Sequence, residues 1–191
     1  MATVAGIPDT RQDREQKSLY DRDYYTWARQ QADALRRRDF EAVDWEQVTE
    51  EIEALVRGEE SSLRSQYTRI IEHLLKLQYR QATEIDPVAG WENSVDNARA
   101  EIDELLRHNP GLRAKRDELF YQAWVLARSR VINFYVTSAT ASTQNDSMRH
   151  RERKRLAREW SRALPQENPY TRQQVEDSDW FPQRLRLTNR P

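Results

Sequence analysis

From Leu19 onward, large apolar side chains recur every three or four positions with charged residues between them, the pattern of amphipathic α-helices. Tyr24, Trp27, Gln31 and Leu35 mark the first helix. Asp21 stands where an N-cap belongs, Tyr20 and Tyr25 flank it as a hydrophobic staple, and Arg36-Arg37-Arg38 suits the negative helix end. Phe40 and Val43 bridge to a second start with the strongest local signal in the chain. Asp44 and Gln47 have capping-box spacing, Val43 and Val48 take the staple positions, and Glu46, Glu50, Glu51 and Glu53 complement the positive helix end. The stripe Trp45, Val48, Ile52, Leu55 resumes as Leu63, Tyr67, Ile70, Leu74, Leu77. Between the halves, Arg57 to Ser62 is free of apolar residues and includes Gly58. An unbroken helix from Asp44 to Tyr79 would be about 54 Å long, against a radius of gyration near ~16 Å for a compact chain of this length. A kink or short break near Gly58 is therefore expected.

Pro87 and Gly90 punctuate a loop over 80–90, and Trp91, Val95, Ala98, Ile102 and Leu106 share one face of a third helix. Asn109-Pro110 ends it and opens a fourth, because Asn caps and Pro fits the first helical turn. Its stripe is Leu119, Phe120, Ala123, Trp124, Ala127, Val131, Phe134 and Tyr135. A small-polar linker over 138–148 leads to a short basic helix, with Leu156, Trp160 and Leu164 aligned. Thr171 and Gln174 repeat the capping-box spacing for one last turn, between Tyr170 and Val175. The fold class that follows is all-α: a bundle of four principal helices with a short C-terminal basic helix. Residues 18–182 are expected to form one domain, behind a flexible leader over 1–17 and before a loose tail over 183–191.

Composition agrees with thin apolar stripes and broad charged faces. Of 191 residues, 37% are hydrophobic and 33% charged, with only 4 Gly and 7 Pro. Six Trp, eight Tyr and four Phe supply the apolar area that ordering requires. A net charge of -1 gives no global attraction to nucleic acid or anionic membrane. Without Cys, disulfide scaffolds, thiol catalysis and cysteine metal sites are excluded. No run approaches the ~20 apolar residues of a membrane span, and residues 1–17 lack the apolar core of a signal peptide. The expected compartment is the cytoplasm.

Chemistry-bearing motifs are scarce. A di-iron bundle needs Glu-x-x-His pairs, whereas Ile70, Leu105 and Ser147 stand three before His73, His108 and His150. Glu104 and His108 are four apart, a spacing that charged helices produce by chance. Unclustered glycines leave neither a phosphate loop nor a dinucleotide fingerprint, and no Gly-x-Ser-x-Gly elbow exists. No cofactor, metal or small-molecule ligand is implied. His73, flanked by apolar residues, is expected to be a hydrogen-bonded histidine of the helix packing. The sharper reading joins it with Glu50, Glu51 and Arg99 in a polar cluster, costly to bury unless every member is paired. The run Arg149-His150-Arg151-Glu152-Arg153-Lys154-Arg155, extended by Arg158, is a candidate phosphate contact, although such runs are usually solvated helix faces.

The ordered set of motifs resembles a bacterial family catalogued as domain of unknown function 29. It is carried by Leu19-Tyr20-Asp21-Arg22-Asp23-Tyr24-Tyr25-Thr26-Trp27-Ala28, by Asp44-Trp45 with Glu50-Glu51-Ile52-Glu53, and by His73-Leu74-Leu75-Lys76 with Gln78-Tyr79. Trp91 with Arg99, Asn109-Pro110-Gly111-Leu112, Pro169-Tyr170-Thr171 and Asp179-Trp180-Phe181-Pro182 complete it. The resemblance implies an all-helical bacterial protein and brings no established activity or catalytic residue. The stretch from about Val136 to Ala163 exceeds the family's usual connection, which makes the basic helix a local elaboration. The function expected is a non-enzymatic helical module for protein–protein interaction or self-association, with a nucleic-acid-associated protein as the alternative. Aromatics beyond the needs of a small core, of a kind enriched in interfaces, favour the first.

Overall fold

The computed structural model describes residues 18–79, 88–142 and 145–183. Seven α-helices follow in order: α1 (Leu19–Arg22), α2 (Tyr24–Arg37), α3 (Trp45–Tyr79), α4 (Val88–His108), α5 (Arg116–Ala139), α6 (Asp146–Ala163) and α7 (Arg172–Glu176). Short 3-10 turns occupy Phe40–Ala42 and Pro110–Lys115, and no strand occurs among the described residues. The all-α expectation holds. None of the helices is long and apolar enough to cross a membrane. The chain divides into two compact units, Met1–Val56 and Arg57–Pro191.

In the first unit, the chain enters through two successive caps rather than one. Ser18 caps α1 by accepting from the Asp21 amide, and Asp23 caps α2 by accepting from the Thr26 amide. Asp21 is therefore not the cap of the long helix. The staple is also different: Tyr20 packs edge-on against Trp27 with ring centroids 4.8 Å apart, while Tyr25 is exposed. Helix α2 ends at Arg38, whose left-handed backbone (φ 57°) turns the chain while its amide satisfies carbonyls of Ala34 and Leu35. Asp44 accepts from the Gln47 amide at 3.3 Å, as the capping spacing requires.

Helix α3 runs without interruption from Trp45 to Tyr79, so the break expected near Gly58 is absent. One glycine in a helix costs only about 1 kcal/mol relative to Ala. The polar run around it satisfies its own backbone within the helix, so nothing forces the chain apart there.

The second unit is built on the later part of α3. Leu63, Tyr67, Ile70, Leu74 and Leu77 are buried, as their spacing predicts, together with Ile71 and Leu75. Val95, Ala98, Ile102 and Leu106 of α4 and Leu119, Ala123, Ala127 and Val131 of α5 complete the same core. Helix α4 begins three residues before Trp91, so residues 88–90 are helical, while 80–87 lie outside the described residues. Pro110 opens a 3-10 turn instead of α5, and the Asn109 side chain reaches back to Glu59 at 3.1 Å. Helix α5 extends through Ala139 into the expected linker, and Asn145 caps α6 earlier than expected by accepting from the Met148 amide. Tyr135 and Trp160 stack at 4.1 Å between α5 and α6. The Thr171–Gln174 capping box at α7 is complete.

A Cβ at Gly58 would meet nothing within 4 Å. Gly58→Ala should therefore raise stability by about 0.5–1 kcal/mol, read as a higher thermal midpoint with unchanged helical circular dichroism.

Candidate functional site

The first unit holds Glu50 and Glu51. Both oxygens of Glu51 are engaged: the Tyr20 hydroxyl donates to one at 2.6 Å and the Tyr24 hydroxyl to the other at 2.9 Å. Two tyrosines four apart on the entering chain thus read the two oxygens of one carboxylate on α3. The hydrogen bond to Glu51, followed by desolvation, pushes the Tyr20 phenol up to about 12. Glu50 is exposed and contributes a smaller charge effect on the same phenol.

Beside this clamp lies a surface that helical spacing suggested would be core. Trp45, Ile52 and Leu55 are 53%, 59% and 71% exposed, and Val56 is exposed too. At 100° per residue these positions fall within a wedge of about 100° on α3. Phe40, with its ring 6.3 Å from that of Trp45, extends the apolar surface, and Tyr24, Tyr25 and Leu35 of α2 are also exposed. Against these eight side chains, the hydrophobic residues buried among the described ones of the unit are Trp27, Ala34 and Val43.

The second unit holds His73 and Arg99. Arg99 is 5% exposed. Its Nε donates to the Val175 carbonyl at 3.0 Å, and its two terminal nitrogens donate to Ser178 at 3.3 Å and Trp180 at 2.7 Å. Phe181 lies against the guanidinium at 4.8 Å, and Asp96 is 3.5 Å away. Arg99 therefore fastens the C-terminal segment, and its donors are spent on main-chain oxygens. Burial, opposed by Asp96 and Asp177, pulls its pKa down.

His73 is half-buried, and its Nδ1 is shielded from solvent with no hydrogen-bond partner. Burial lowers its pKa; the positive charge of Lys76 acts in the same direction and Glu72 opposes it. Glu72 and Lys76, which the sequence pattern did not single out, form a partly buried pair at 2.6 Å. The Lys76 ammonium also lies 4.2 Å from the centre of the Phe134 ring, and Arg130 approaches Glu72 at 3.9 Å. A second polar group centres on Glu176, which accepts from Tyr67, Arg116 and Arg172, while Arg172 also donates to Asp117 at 2.6 Å. Spacing could not reveal it, since Tyr67 and Glu176 are separated by most of the unit.

On α6, Arg155 bonds both Glu152 and Glu159, and Arg149 lies 3.7 Å from Asp146. Arg153 donates to the neutral oxygens of Thr137 and Asn133 at 3.4 and 3.3 Å. Arg151, Lys154 and Arg158 are exposed. His108 pairs, among the described residues, with Glu104 of its own helix at 3.1 Å. Among the described residues, no group of three or more His, Asp or Glu side chains converges as a metal site would require.

The family model described as "Domain of unknown function DUF29" matches residues 19–181, and the chain belongs to that family. No curated protein and no solved structure matches it.

Two outcomes follow for the second unit. Arg99→Leu leaves three carbonyls without donors and should cost about 3 kcal/mol, with faster amide exchange confined first to 175–180. Because burial holds His73 neutral below the ordinary imidazole value of about 6.5, its contribution to stability is full above that value. It is lost as pH falls through the lower folded value. Urea unfolding of the native chain should therefore weaken in mild acid, and His73→Gln should flatten that dependence.

Proposed function

We propose that the chain is a self-associating helical module, pairing with a second copy of itself through the α2–α3 face of its first unit. The observation that carries this reading is the mismatch between three buried and eight exposed hydrophobic side chains among the described residues of that unit. A two-helix unit of this length cannot assemble a sufficient core alone. Exposed apolar surface in this excess usually marks an association surface.

Charge favours a copy of the same chain as the occupant. An isologous interface must be self-complementary, because the same patch faces itself across a two-fold axis. The start of α3 is acidic, with Glu46 and Glu50 exposed or half-exposed, and the end of α2 is basic, with Arg37 and Arg38 exposed. None of these four has a partner within the described chain. Opposite charges carried on one chain are self-complementary between copies, and charges of that kind set register and speed encounter rather than supply most of the affinity.

Light scattering after size exclusion should give the mass of a dimer, and Ile52→Glu with Leu55→Glu should give a monomer of unchanged helical content. A native chain that stays monomeric over a broad concentration series would overturn the reading.

A further inference from the structure

The outer face of α6 is charged in a way its composition conceals. Arg151, Lys154, Arg158 and Arg162 are spaced three, four and four residues apart, which aligns them on a single strip of the helix. That strip lies opposite the buried Leu156 and Trp160, so it points away from the core. All three acids of the helix are engaged locally, Asp146 by Arg149, and Glu152 and Glu159 both by Arg155. The four cations of the strip have no partner among the described residues. Arg153 adds a fifth uncompensated charge, because its contacts on α5 are neutral oxygens.

A groove of about 450 Å³ between α5 and α6 continues this surface. Ile132, Val136 and Ala157 line it with apolar atoms, Arg130, Arg153 and Lys154 are its cations, and no acidic residue lines it.

We propose that this face of α6, with the adjoining groove, binds the phosphodiester backbone of double-stranded nucleic acid. The strip runs over twelve residues, about 17 Å of helix, a length over which one strand of a duplex carries roughly five phosphate charges, one per ~3.4 Å of axis. Four of the five uncompensated cations of the strip and groove together are arginines, whose planar fork suits paired phosphate oxygens. An anionic bilayer fits less well. Such a helix needs large apolar side chains beside its cations, and the exposed one on α6 is Met148, in the first turn. Recognition of this kind carries no sequence information. This site is independent of the self-association face and stands or falls separately.

Fluorescence anisotropy of the full chain with labelled DNA and RNA duplexes of about two helical turns, across a salt series, tests it. With five phosphate contacts, the logarithm of affinity should fall against the logarithm of salt with a slope near about −4.5. Arg151→Glu with Lys154→Glu and Arg158→Glu should abolish binding at moderate salt, and the three Ala substitutions should reduce the slope to about −2. The charge-matched control Arg29→Glu with Arg69→Glu and Arg113→Glu should leave binding within about twofold, as expected for weak long-range screening effects. Binding of either duplex with this pattern supports the site, and the preferred duplex identifies the source of the backbone. Absence of binding at low salt, equal loss in the control, or tighter binding to phosphatidylserine vesicles than to either duplex would overturn it.

Discussion

The second unit depends on a buried guanidinium. The segment from Pro169 to Phe181 contains only the five residues of α7 as regular helix, so many of its carbonyls have no internal partner. Three of them converge on Arg99, and the segment cannot leave without stranding both them and a buried charge. Arg128 does the same at the end of α6, donating to the Pro165 carbonyl at 2.7 Å and to Ser161. Its charge also complements the negative end of that helix. Arginines on α4 and α5 thus hold the irregular stretches that follow, while aliphatic packing holds the helices.

Helix α3 presents the opposite situation in its two parts. The same three-and-four spacing of apolar residues runs along both, but only the stretch from Leu63 onward lies in a core. The earlier stretch is fixed by polar contacts: the tyrosine clamp on Glu51 and the Asp44 cap. Those interactions position the helix without covering its apolar face. A specific local geometry combined with unburied area is what an association surface requires, because the cost of ordering it has already been met before encounter.

The elements with strong local signals could be read from the sequence. Capping spacing located the start of α3 and the whole of α7, and periodicity located the core stripes of α4, α5 and the second half of α3. Periodicity states which face of a helix is apolar; it does not state whether anything covers that face, which is why Trp45, Ile52 and Leu55 could not be separated from Leu63 and Ile70. Polar partnerships were less legible still. The donors on Glu51 come from 27 and 31 residues upstream, and the carbonyls on Arg99 from 76 to 81 residues downstream. A main-chain carbonyl has no residue identity, so no pattern of side chains could have named it as the partner of Arg99. Asp21 and Asp23 both suit an N-cap, and the choice fell to Asp23 because the short α1 takes the first position.

The double engagement of Arg155 lets one side chain hold two acids of its helix. Were it lost, Glu152 and Glu159 would both be released, and Arg162 of the exposed strip lies within one helical turn of Glu159. A single substitution would remove one positive charge and draw a second into a local pair. The strip is thus open to adjustment from a residue outside it, without any change in the packing beneath.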